Sequence, residues 1–153
     1  MKRAAAVLFV CSMLPAATPS GATYYSGEDL KAEGRKLGVG SRHQGYAGKD
    51  FERYGNHYTM LAHRESSGSA EIHLRDSDLF VVVDGEATIV TGGKILNAKT
   101  EHPGEIRGSS IAGGHRQKLV AGDVIHIAPN TPHQMLIEPG KSITYFVMKV
   151  TSN

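Results

Sequence analysis

From Tyr54 to Val150 the chain is a succession of short segments rich in Val, Ile, Thr and Tyr, cut by turn residues and with no helical segment between them. Short strands that follow one another in this way must bury one face each, and the solutions are an all-β sandwich or barrel. The strands read as Tyr54 to Arg64, Ser69 to Leu74, Leu79 to Val83, Glu86 to Thr91, His115 to Val120, Val124 to Ile127, Gln134 to Ile137 and Ser142 to Val150. Glu65-Ser66-Ser67-Gly68, Asp76-Ser77, Asp84-Gly85, Ala121-Gly122-Asp123 and Glu138-Pro139-Gly140-Lys141 read as the turns between them. Lys94 to Gly114 is the least regular stretch, an extra hairpin or a lid over a barrel mouth.

Ahead of the strands, Ser26 to Leu37 carries a Ser N-cap candidate, acids in its first turn and bases in its last, and predicts one short helix. Gly38 to Asp50 predicts a loop, with an edge strand as the alternative over Val39 to His43.

The first residues have a different character. Lys2-Arg3 precede an apolar run from Ala4 to Leu14, and small residues follow. This is the layout of a secretory signal peptide, too short for a membrane span, with Ser20-Gly21-Ala22 a cleavage site and Thr18 an alternative. The expected organisation is a signal peptide over 1–22, a helix and extension over 23–53, and a barrel over 54–153, exported to the periplasm or outside the cell.

Cys11 is the one cysteine and falls in the leader, so the mature chain is expected to have no disulfide and no thiolate ligand. Any metal must be held by His, Asp or Glu. Loss of Lys2 and Arg3 takes the 17 basic residues to 15, equal to the 15 acidic ones. Without a basic run interleaved with aromatics, a nucleic-acid partner has no support. A small molecule is the better partner.

The stretch Glu71-Ile72-His73-Leu74-Arg75-Asp76-Ser77-Asp78 carries the candidate chemistry. On a strand, Glu71 and His73 share a face, and a hairpin through Asp76-Ser77 would return Asp78 beside them. The bland alternative is an ordinary half-exposed strand whose polar face meets water.

Farther along, Gly122-Asp123 is followed by Pro129 and His133. Glu71-x-His73-x4-Asp78-Leu79-Phe80-x-Val82-x-x-Gly85 resembles the first motif of the cupin superfamily, and Gly122-Asp123-x5-Pro129-x3-His133 resembles the second. The resemblance implies a double-stranded β-helix, a jelly-roll barrel with the site inside. It also implies a metal set of His73 and His133, with Glu71 where the family has a histidine and Asp78 where it has a glutamate. Thr91-Gly92-Gly93 adds a likeness to small secreted single-domain cupins.

That donor set suits a divalent ion such as Zn, Fe or Mn. The ion would act as a Lewis acid on a small organic ligand, as in oxygenase, isomerase or lyase cupins, or serve only to orient a ligand in a non-catalytic binding or sensing module. Asp78, one methylene shorter than Glu, is a fourth ligand or a partner of the ligands. His63, Arg64 and Tyr145 are substrate-binding candidates, although a strand end and plain core explain them equally well. His115 and His126 lack a paired ligand at motif spacing. Ile72 and Leu74 would face outward if the ligands face inward, and that predicts a homodimer or cover from the N-terminal segment.

Overall fold

The computed structural model describes residues 21–152. The expected signal peptide, through residue 20, lies outside the described residues. One helix, α1 (Gly27–Ser41), precedes twelve strands. They are β1 (Tyr46–Arg53), β2 (His57–Arg64), β3 (Ala70–His73), β4 (Asp76–Thr91), β5 (Lys94–Leu96) and β6 (Lys99–His102), then β7 (Glu105–Gly108), β8 (Ser110–Ala112), β9 (His115–Val120), β10 (Val124–Ile127), β11 (His133–Leu136) and β12 (Ile143–Thr151).

The strands are antiparallel and form two facing walls joined by β4. Its first half pairs with β12 and β10, continuing through β2 to β1; its second half pairs with β9 and β11, continuing through β3 and β7 to β6. A single strand serving both walls must bend. The bend falls at Asp84-Gly85, where Gly85 has φ +79° and the register against β12 shifts between Thr144 and Tyr145. The expected turn there is thus a kink inside one continuous strand. Gly85 is required twice over, because its backbone lies in the left-handed region and a Cβ would come 2.1 Å from the Ser142 carbonyl oxygen.

Other boundaries also differ from expectation. The helix reaches Ser41, so Val39 is helical rather than part of an edge strand, and β1 occupies much of the expected loop. Ser26 caps the helix as expected: its hydroxyl accepts the Asp29 amide hydrogen at 3.0 Å. The turn after β3 is Leu74-Arg75, and Asp76 already begins β4. Lys94 to Gly114 is a pair of hairpin-like pairings, β5 with β8 and β6 with β7, and β7 is bonded along β3.

Period-two alternation explains both faces of the first wall. On β12, Ile143, Tyr145 and Val147 face the core, which they share with Phe80, Val82, Ile89, Leu119, Ile127 and Met135. Burial of each large side chain contributes about 1.5–3 kcal/mol. The outer face needs its own cover, and α1 supplies it. Gly34 lies against Thr144 and Gly38 against His63. Leu61 of β2 is wholly buried, and Tyr25, Phe51 and Phe146 cluster with ring centroids 4.8 to 6.4 Å apart. Lys49 of β1 clasps Glu33 of α1 at 2.8 Å.

Candidate metal centre

Inward positions, several of them shared with the core, line a cavity of about 280 Å³ between the walls. β2 contributes Tyr58, Met60, Ala62 and Arg64, β4 contributes Asp78 and Phe80, and β12 contributes Tyr145, Val147 and Lys149. Opposite them stand Glu71 and His73 of β3 with Glu105 and Arg107 of β7.

Glu71, His73 and His133 each offer one donor atom, all within 4.8 Å of one another. The route to that cluster differs from the sequence expectation. β3 does not pair with β4 as a hairpin; it pairs with β11 and β7, so His133 stands directly beside Glu71 on the same wall. Asp78 arrives from the opposite wall, where β4 pairs with β12 and β10. Its Oδ2 lies 3.3 Å from Nε2 of His73 and 3.5 Å from Nε2 of His133.

The imidazoles are aimed by their outer nitrogens. His133 Nδ1 donates to the Thr131 carbonyl at 3.0 Å, since a carbonyl can only accept. Its Nε2, buried and without a hydrogen-bond partner, points at the carboxylates of Glu71 and Asp78. His73 Nδ1 is 3.5 Å from Oε2 of Glu105. Asp78 is braced by Lys149, whose Nζ lies 2.8 Å from Oδ1.

Arg107 binds Glu71 at 2.9 Å and Glu101 at 2.5 Å, and also grips Glu105. Burial works to raise the Glu71 carboxyl, but the His133 imidazole and the Arg107 guanidinium outweigh it and hold it down at about 2. Burial likewise opposes ionisation of Asp78, and His73 with Lys149 reverses it, keeping that carboxyl below its ordinary range. For His133 burial disfavours the charged ring, yet the neighbouring Glu71 carboxylate carries its pKa upward. Two ionised carboxylates and two imidazoles around an orphaned nitrogen are a donor set that fits a divalent cation.

The substrate candidates separate. Arg64 and Tyr145 line the cavity, whereas His63 points to the other face of β2, bonded to Thr144 Oγ1 at 2.8 Å beneath α1. Strand alternation forbids adjacent residues from sharing a face, so His63 is withdrawn from the site. Glu105, Arg107 and Lys149 were not anticipated. Glu105-x-Arg107 has the same period-two spacing as Glu71-x-His73 and pairs with it residue for residue, but the irregular stretch around it hid that signal.

No family model matches the chain, and no characterised protein matches it in sequence. Solved structures do resemble it. An uncharacterized conserved protein with a double-stranded beta-helix domain from Klebsiella pneumoniae superposes with a TM-score of 0.53 at 14% identity, over 72% of this chain and 80% of that one. Streptomyces Pac13 with uridine gives 0.51 at 13%, over 71% and 72%; Pac13 is described as a nucleoside dehydratase. The polyketide cyclase RemF from Streptomyces resistomycificus gives 0.50 at 12%, over 70% and 66%. At such identities the likeness is one of fold, and by its fold this chain is a double-stranded β-helix protein.

Proposed function

We propose that the protein binds one divalent metal ion through Glu71, His73 and His133, with Asp78 beside them, and uses it to bind or act on a small organic molecule in the adjoining cavity. The observation that carries this reading is the convergence of three donor atoms within 4.8 Å, with His133 Nε2 buried and without a hydrogen-bond partner. An ion there would supply Lewis acidity toward an oxygen of the ligand. Thr131 and Glu105 orient the imidazoles, Arg107 keeps Glu71 ionised, and Lys149 holds Asp78 in place. Phe80, Met60 and Val147 give the ligand an apolar wall.

Fold neighbours that include a nucleoside dehydratase and a polyketide cyclase support a small-molecule role. Metal analysis of protein purified from its native compartment tests the reading: one Zn, Fe or Mn per chain supports it, and a metal-free protein that takes up none of these ions overturns it. The reading also holds that the chain is exported and works as a homodimer. N-terminal sequencing of the mature protein and sedimentation across a concentration series test those two points. No helix among the described residues is long and apolar enough to cross a membrane.

A further inference from the structure

Arg64 is the cavity cation that no carboxylate engages. Arg107 is held by Glu71, Glu101 and Glu105, and Lys149 by Asp78. Among the described residues Arg64 has no ion pair; its Nε donates to the Tyr145 hydroxyl at 3.0 Å, and its guanidinium lies over the Tyr46 ring, 4.5 Å from the centroid. Gly68 makes room for it, since a Cβ there would sit 3.0 Å from Nη1 and 3.3 Å from Nη2.

A guanidinium stacked on one ring and pinned at Nε keeps its remaining N–H groups oriented. Those groups meet no acceptor among the described residues. A charged fork desolvated in this way, and left without a counter-ion, is poised for an anion from outside the chain. Tyr145 adds to the seat. Its hydroxyl accepts from Arg64, so its own proton remains to be donated, and the residue is buried in the cavity wall.

We propose that Arg64 and Tyr145 form a carboxylate seat, so that the ligand is a small organic acid with its carboxylate at Arg64 and a hydroxyl or carbonyl oxygen toward the metal cluster. The proposal rests on the metal reading for the second contact only. Two observations favour a carboxylate over a phosphate. The seat offers one fork rather than a nest of donors, and the other two cations are taken. The apolar lining by Tyr58, Met60, Phe80 and Val147 matches an acid with a carbon body.

Calorimetry with mandelate, mandelamide and inorganic phosphate, on Zn(II)-loaded and on chelator-stripped protein, tests this. The acid is expected to bind at least about tenfold more tightly than the amide, as befits a hydrogen bond to a charged group. Arg64→Gln should erase that preference while leaving Zn(II) affinity unchanged. Arg64→Lys keeps the charge without the fork and should retain part of it, which guards against a glutamine variant that folds poorly.

Equal binding of acid and amide, no binding of mandelate at millimolar concentration, or a preference that survives Arg64→Gln overturns the seat. Tighter binding of phosphate overturns the carboxylate assignment. Failure of the wild-type protein to take up Zn, Fe or Mn overturns the metal reading instead, and the acid-over-amide preference of the stripped protein then stands as the separate measure of Arg64.

Discussion

Glu71 and His133 are direct cross-strand partners on β3 and β11, and their side chains meet with Oε1 3.3 Å from Nε2. They lie 62 positions apart in the chain, from 71 to 133, yet the sheet register alone places them side by side. His133→Ala should therefore remove one donor and leave a space that water fills, lowering metal content severely while the circular dichroism of the barrel is kept. Asp78→Asn should cost less, about ten- to a hundredfold in affinity, if Asp78 acts through the histidines it touches. Unchanged metal affinity in His133→Ala would sink the site.

Arg107 offers a second handle. It braces Glu71 and Glu105 together, and Glu105 in turn faces His73. Arg107→Met should loosen both braces and let the Glu71 carboxyl rise from about 2, weakening metal binding by about tenfold. The side chain is 37% exposed, so solvent screens the pairs and the thermal midpoint should move little. A large fall in midpoint with unchanged metal affinity would assign Arg107 to stability instead.

The ligand types were legible in the sequence because Glu71-x-His73 obeys the strand period and because the Gly122-Asp123 to His133 spacing follows it in order. Which wall each ligand comes from was not legible. A local reading makes β3 and β4 a hairpin, since they are adjacent in the chain, whereas long-range pairing with β11 and β7 takes β3 to the other wall. Likewise Asp84-Gly85 has the composition of a tight turn, but β12 pairs with β4 up to Gly85 and β9 takes over at Glu86, so the strand runs on through the bend. His63 failed as a candidate for a simpler reason: Arg64 occupies the inward position, and its neighbour must face α1.

Tyr145 should reveal its burial by titration. Burial raises its phenol to about 12 against an ordinary 10.0, although Arg64 pulls the other way. The folded state thus keeps this proton to higher pH than the unfolded chain does. The associated stability is complete below pH 10 and is lost as pH rises through 12. With no tryptophan in the chain, tyrosinate absorbance is readily followed. Tyr145→Phe should delete one late-titrating phenol; an unchanged alkaline titration curve in that variant would contradict the placement.

Gly85 and Gly92 separate two costs of replacing a glycine. Both have positive φ, +79° and +73°, so an alanine at either pays for an uncommon backbone conformation, about 1 kcal/mol or more. At Gly92 a Cβ would meet nothing within 4 Å. At Gly85 it would overlap the Ser142 carbonyl oxygen at 2.1 Å, and that oxygen accepts the Glu86 amide hydrogen at 2.9 Å, so it cannot retreat without breaking a bond at the bend of β4. Gly85→Ala should therefore lose roughly 2 kcal/mol more than Gly92→Ala in urea unfolding, adding the loss of that bond and of local packing to the shared backbone cost. Because β4 serves both walls, the loss should be global, with one cooperative transition and an unchanged slope on denaturant. Equal destabilisation by the two substitutions would mean that the bend yields, and that the continuity of β4 through Asp84-Gly85 is not what holds the walls together.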